Sequence, residues 1–591
     1  MFKKPTFIDV CFLCFFTFFI TLHPFFLQGH LNLYELGIYL PGIQAILEGQ
    51  VPYRDFFYLR GPFELYFPAF FMSIFGQKVS VLITLFYVCT VLTLFVYIFL
   101  AQRIYKTRLV LYLMVPVFVA RVFPRVVFTF WGGFRYLVGA LSLFCLIEFL
   151  RKRKTGWLFF SGILAAGSLL TSIEVGVSAI MAFMAVFMTV FLLKDFNKKD
   201  FFKKSLVYFL GMGIVLLPYC AYLMTHQAWV PFLDVLGTIL TNMQKTYNPE
   251  TFIRMPKHLG EFLILLINPN HAEFDRYTPV YTYVIFWGFL IFGIKSIWAE
   301  RNKGQWTKRW GISNSDPFLI LSLAALGTYG TIFLVAAFRN IQTSAFEMAL
   351  QPEKIILFFL LEVFLLELLK RRAELKQGTL PVSFLGWPAK IKLKFVLMNA
   401  LFVAIIFSSA GYAIQRYSHR FFTFKFLRNT ILGKGTNQLE PLGDQKKITL
   451  GYSVLEGLTI PAGQAEDLKE IEIFIEENTS SEDPLLFFSQ LGIFHFLYDR
   501  PFINRFPMVT DTWMNEQWHN EFMGDLERVS PKFVILEDPA SPWFEKLSSA
   551  VEGNRKKTEE VLNYVYQNYI PIKKTSSYLI YKRKEMAKGR E

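Results

Sequence analysis

Between residues 30 and 76 the chain reads HLNLYELGIYLPGIQAILEGQVPYRDFFYLRGPFELYFPAFFMSIFG, with Glu35, Glu48, Arg54, Asp55, Arg60 and Glu64 set among aromatic residues. Apolar runs long enough to cross a bilayer flank it on both sides, so these charges are held against a membrane surface. A carboxylate beside apolar surface has its pKa raised and can accept a proton near neutral pH, which makes Glu35 and Asp55 candidate general bases. An arginine fork in the same place suits an anion, and Arg60 stands directly before Gly61 and Pro62. Plainer roles exist for each: Asp55 can pair with Arg54 or cap a turn, and Glu35 can favour a helix start. Two carboxylates tied to one interfacial loop favour the chemical reading. Glu48 and Glu64 read as solvated or structural.

The elements that must position these groups are two short surface helices. Leu36, Leu40, Ile43 and Leu47 recur at helical spacing, Pro41 is acceptable at a first helical turn, and Gly49 is placed to end the helix. Pro62 and Gly76 bracket a second apolar run. Both helices are expected to lie along the membrane interface and hold the PYRDFFYLRG turn over it.

An acidic residue at the start of this loop, then G-x-x-PYRDFF, then Gly61-Pro62 and a closing Phe75-Gly76, resemble the multi-spanning glycosyltransferases of the GT-C fold. The pattern resembles that of the family 39 enzymes, of the dolichyl-phosphate-mannose protein mannosyltransferase type. The resemblance implies transfer of a sugar from a polyprenyl-phosphate carrier to a lipid, glycan or protein acceptor on the outer membrane face, with inversion. Many members carry Asp-Glu at the loop start where this chain has Tyr34-Glu35, so the base stays open between Glu35 and Asp55. The departing lipid phosphate is already an anion, so the reaction needs a base for the acceptor hydroxyl and cations for the phosphate. The resemblance places Arg60 and Arg339 on that phosphate. It implies no obligatory cofactor, and a divalent metal is compatible with it.

Composition fits such a class. A chain of 591 residues with 53% hydrophobic residues and 67 Phe is a polytopic membrane protein, mainly α-helical. The formal charge of +15 sits in short segments between apolar runs, such as Arg151 to Lys154, which mark the cytoplasmic side rather than a nucleic-acid surface. Cys11, Cys14, Cys89, Cys145 and Cys220 all lie in apolar runs and imply no disulfide. The run over 7–27 is too long for a signal-peptide core and reads as a retained first helix with a cytoplasmic N-terminus.

Further apolar runs over 79–100, 109–120, 137–150, 157–170, 173–193, 205–224, 279–297, 318–338, 355–369 and 395–412 bring the total to about eleven spans. An odd number puts the polar tail outside. The chain thus divides into a transmembrane domain, 1–412, whose first outer loop over 28–78 carries the site, and a soluble extracytoplasmic α/β domain, 413–591. In the tail, helices are expected over 465–478 and 559–569, and strands over 484–489, 532–536 and 577–582. The long outer loop over 225–277 reads as a lid or acceptor-binding segment, or as an inert interfacial helix.

Arg121, Arg125 and Arg135 fall in an outer loop where positive-inside bias disfavours them, and as a group they are candidates for the carrier phosphate. Arg339, at the outer end of a span, either binds phosphate, snorkels or pairs with Glu347. Glu174 faces the same cavity or starts a helix. Glu148, Glu362 and Glu367 lie near basic inner ends and read as paired. No histidine pair has metal-ligand spacing and no Gly-rich nucleotide loop occurs. The competing class is a polytopic lipid or glycan transporter, which would more often show internal repeats and broken helices.

Overall fold

The computed structural model describes residues 3–123, 133–192, 198–241, 274–301, 317–337, 344–376, 403–407, 409–411, 413–417, 421–434, 442, 445–449, 453–508, 514–540 and 552–584. Its helices are α1 (Phe7–Thr21), α2 (Leu33–Leu47), α3 (Phe63–Phe75), α4 (Val79–Ile104), α5 (Arg108–Val122), α6 (Gly133–Lys152) and α7 (Thr155–Leu169). There follow α8 (Ile173–Leu192), α9 (Lys198–Thr225), α10 (Trp229–Thr241), α11 (Phe274–Arg301), α12 (Pro317–Ala337), α13 (Ser344–Lys376) and α14 (Phe422–Ile431). The remainder is the tail: β1 (Lys447–Ile448), β2 (Ile460–Pro461), α15 (Ala462–Asn478), β3 (Leu486–Phe488), α16 (Ile493–Tyr498), α17 (Glu516–Val529), β4 (Phe533–Glu537), α18 (Glu552–Asn568), β5 (Tyr569–Lys574) and β6 (Tyr578–Arg583). The chain is a polytopic helix bundle carrying a C-terminal α/β unit.

Among the described residues, α4, α6, α8, α9 and α12 are long and apolar enough to cross a membrane, and α1 and α7 are shorter apolar helices. Leu206, Leu210, Ile214 and Leu217 of α9 are exposed along one side, as a helix facing lipid requires. Most of the last expected span, 395–412, lies outside the described residues, as does 242–273 of the long loop.

Without a hydrophobic drive between helices inside a bilayer, close approach depends on small residues and interhelical hydrogen bonds. Helices α7 and α9 cross through a glycine pair. A Cβ on Gly162 would stand 2.1 Å from the Tyr208 carbonyl oxygen, and one on Gly211 2.3 Å from that of Phe159. Ser142 of α6 and Ser161 of α7 each donate a hydroxyl to the other's carbonyl, at 3.0 and 2.9 Å. At the opposite end from the 30–76 loop, Glu148 collects Arg103, Arg151 and Lys152 within 2.8 Å. Glu362 accepts the N–H groups of Lys106 and Thr107 and thereby caps α5, a role the charge pattern alone did not suggest.

The tail sheet runs β3-β4-β6-β5, with β3 and β4 parallel and the other pairs antiparallel. Strand β5 was not expected. Pro571 and two lysines obscure it, and it is tolerated because β5 is an edge strand with a register shift at Pro571/Lys573. The tail closes on the bundle face bearing the 30–76 loop: Gln464 exchanges two hydrogen bonds with the Leu31 backbone, and Phe57 packs between Phe506 and Trp518. Gly37 of α2 meets the tail backbone so closely that a Cβ there would lie 2.9 Å from the Ile493 nitrogen.

Replacing Gly162 by valine is expected to destabilise the bundle by about 1–3 kcal/mol or more through overpacking against the Tyr208 carbonyl. Gly156→Ala, where no atom lies within 4 Å of the added Cβ, should be neutral. Equal melting temperatures for the two variants would contradict this crossing geometry.

Candidate functional site

Helix α2 is fixed at its start by Asn32, whose side chain accepts the Glu35 N–H at 3.1 Å, and at its end by Gly49, with φ of 87°. The turn after it is tightly wound: Tyr53 takes φ of 71°, its N–H donates to the Phe56 carbonyl, and its hydroxyl donates to the Arg60 carbonyl at 2.7 Å. Gly61 and Phe63 then donate to the Thr171 and Leu170 carbonyls in the turn between α7 and α8. A Cβ on Gly61 would sit 2.1 Å from the Leu170 oxygen, so glycine is required for that docking. Both helices form as the sequence suggests, yet α2 is not a surface helix. It is buried from Leu36 to Ile43 because the tail covers one side and the bundle the other.

On the bundle side of α2, seven polar residues converge: Glu35, Tyr39, Tyr58, Arg60, Glu64, Arg135 and Tyr136. Glu64 stands at the centre, with the Arg60 guanidinium 3.7 Å from one oxygen and the Arg135 Nε 3.5 Å from the other. The Tyr58 hydroxyl also donates to Glu64 at 3.0 Å. Arg60 donates to the Tyr39 hydroxyl at 2.7 Å, and Arg135 to that of Tyr136 at 2.9 Å. Glu35 lies in the field of both arginines and is 5% exposed, but neither of its oxygens has a hydrogen-bond partner among the described residues. Burial pushes its pKa up to about 8, against the pull of Arg60 and Arg135, with Glu64 adding to the rise. At neutral pH the group is therefore mostly protonated, two guanidinium groups face the single charge of Glu64, and the cluster retains net positive charge for an anion.

Asp55 is placed differently. Arg54 grips it with two hydrogen bonds of 2.7 Å, the Val51 N–H donates to it at 2.7 Å, and the Arg54 fork holds its carboxyl below the usual carboxylate range. Arg54 in turn donates to the His226 carbonyl at the turn between α9 and α10. Asp55 thus takes the plainer of its two expected parts, pairing with Arg54 and closing a turn.

Of the expected arginines, Arg60 and Arg135 are brought together. Arg121 is buried at the end of α5, and its carbonyl, with that of Phe123, accepts from Arg416. Arg125 and Arg339 lie outside the described residues. Glu347, one alternative partner for Arg339, pairs with Arg416 at 2.9 Å. Glu174 occupies the first turn of α8 and accepts from the Ser172 hydroxyl at 3.1 Å. Glu64, Tyr39, Tyr58 and Tyr136 were missed, although Arg60 and Glu64 stand one helical turn apart. Among the described residues no group of three or more His, Cys, Asp or Glu is arranged to hold a metal ion.

No protein-family profile and no curated protein matches this sequence. Among solved structures, it is similar to ArnT from Cupriavidus metallidurans bound to undecaprenyl phosphate, over 97% of each chain at 10% identity, with a TM-score of 0.47. It is also similar to the Archaeoglobus fulgidus oligosaccharyltransferase in complex with zinc and sulfate, over 93% of this chain and 70% of that one, at 10% identity and a TM-score of 0.46. The archaeal oligosaccharyltransferase AglB from the same organism, in complex with an inhibitory peptide and a dolichol-phosphate, aligns over 98% of this chain and 74% of that one at 11% identity and a TM-score of 0.42.

The raised pKa of Glu35 has a stability consequence of fixed sign. Its neutral form is favoured by the fold, so stability present below the unfolded value of 4.5 is lost as pH rises through the folded value near 8. Glu35→Gln removes that loss and should stabilise the protein by roughly 3 kcal/mol at pH 7, with little difference at pH 4. A melting-temperature gap between variant and parent that does not widen from pH 5 to pH 8 would contradict the placement of Glu35.

Proposed function

We propose that this chain is an inverting membrane glycosyltransferase that moves a sugar from a polyprenyl-phosphate carrier to a lipid, glycan or protein acceptor. The observation carrying this reading is a buried carboxylate, Glu35, that has no hydrogen-bond partner among the described residues and lies in the field of two arginines that share one other carboxylate. The resemblance of the 30–76 stretch to GT-C enzymes points the same way. In this reading the ionised form of Glu35 takes the proton of the acceptor hydroxyl. As the new bond to the sugar's anomeric carbon forms, the bond to the carrier phosphate breaks on the opposite face. The phosphate leaves with the electron pair, held by Arg60 and Arg135, so the base and the anion clamp lie within one cluster.

Glu35 is preferred to Asp55 because Asp55 is already committed to Arg54 and Val51, whereas Glu35 has hydrogen-bonding capacity to spare. Arg121, Arg125 and Arg339 are assigned to the same phosphate, and Glu174 to the same cavity. The site faces the outside of a plasma membrane, the N-terminus is cytoplasmic, and the extracytoplasmic tail helps to position the acceptor. Helix α10 belongs to that covering layer, since Asp234 accepts from the Trp518 indole at 2.9 Å and Phe232 packs on Tyr53.

Purified protein incubated with labelled polyprenyl-phosphate sugars and membrane lipid extracts should transfer label. Glu35→Gln should lower the transfer rate on the order of a hundredfold or more, and Asp55→Asn only slightly. Arg60→Ala should weaken donor binding together with turnover. Transfer at the parent rate by Glu35→Gln would overturn the assignment of this cluster as the active site.

A further inference from the structure

The segment leading from the bundle into the tail is amphipathic in an unusual place. Helix α14 reads FTFKFLRNTI; on a helical projection Thr423, Phe426, Leu427, Thr430 and Ile431 share one side, and Lys425, Arg428 and Asn429 the other. The helix is anchored from its first turn. The Thr423 hydroxyl donates to the Phe19 carbonyl of α1 at 3.1 Å, and the Phe422 ring packs on His23 and Phe25. Phe426, Leu427 and Leu432 are exposed, and Ile431 is 81% exposed. Directly alongside, α1 exposes Phe15, Phe18, Phe19 and Leu22.

We infer that α14 is an in-plane membrane anchor whose apolar side enters the bilayer interface and whose cations bind anionic phospholipid headgroups. Two observations select lipid over a protein partner. The exposed apolar side of α14 continues the apolar surface of α1, a helix that presents such residues along its length and reads as membrane-embedded. The stretch from Phe421 to Lys434 holds Lys425, Arg428 and Lys434 and no acidic residue, which suits phosphate headgroups. Helix α14 packs where α1 ends, shortly before the 30–76 loop. It sets the height at which the tail leaves the bilayer.

A spin label on Ile431→Cys, in full-length protein with its five native cysteines replaced and reconstituted in phosphatidylglycerol and phosphatidylcholine bilayers, reads this directly. Relaxation by oxygen should exceed that by a water-soluble nickel chelate, and a label at Leu427→Cys repeats the measurement on the same side of the helix. Arg428→Gln and Lys434→Gln should each lower the preference for phosphatidylglycerol over phosphatidylcholine about five-fold, read as co-purifying lipid. Stronger relaxation by the nickel chelate at both positions, spin–spin broadening between copies of the chain, or an unchanged lipid preference would each overturn the proposal. None of these readouts depends on catalysis.

Discussion

Two guanidinium groups share one carboxylate at the junction of the bundle and its loop. Arg60 and Arg135 come from segments far apart in sequence, and Glu64 lies within ion-pair distance of both. That arrangement leaves Glu35 with attraction from both cations but no direct partner, so burial dominates and the group is held near neutrality. A buried carboxylate without a hydrogen bond costs stability, and such a group persists when it has a task in a bound or reacting state. Tyr39 and Tyr136 each accept one hydrogen bond from the arginines.

The rest of the architecture holds this cluster in place. The turn between α7 and α8 takes the Gly61 and Phe63 N–H groups and thereby fixes Arg60 and Glu64. Helix α2 presents Glu35 and Tyr39 to the cluster and Gly37 to the tail. The tail therefore bears on the chemistry through the placement of α2 and through the cover it forms with α10. A helix pinned from two sides holds Glu35 in position without a hydrogen bond to its carboxylate among the described residues.

Much of this was legible in the sequence because it depends on local rules. Period and stop signals located α2, α3 and most apolar helices, a short continuous apolar run located β4, and the alternation of apolar and polar residues located β6. Arg135 stood out as a cation where charge bias disfavours it, and Arg60 as an arginine directly before Gly61 and Pro62. What stayed hidden depends on tertiary contact. The pairing of Arg54 with Asp55 was open to local reading, but nothing local shows that Glu64 bridges two arginines or that Glu362 caps α5 from another helix. The burial of α2 was missed for the same reason: its residues read as an interfacial helix until the tail backbone at Gly492 and Ile493 is laid against Gly37.

The most direct measurement is the pH dependence of kcat/KM for sugar transfer, which reports the ionisation of the free enzyme's essential base. With Glu35 as that base, the value should rise about tenfold per pH unit from pH 6 and level off near pH 8, the value set by its burial, and this rise should vanish in Glu35→Gln. A profile flat from pH 6 to 9, or one levelling near the ordinary glutamate value of 4.5, would contradict the account.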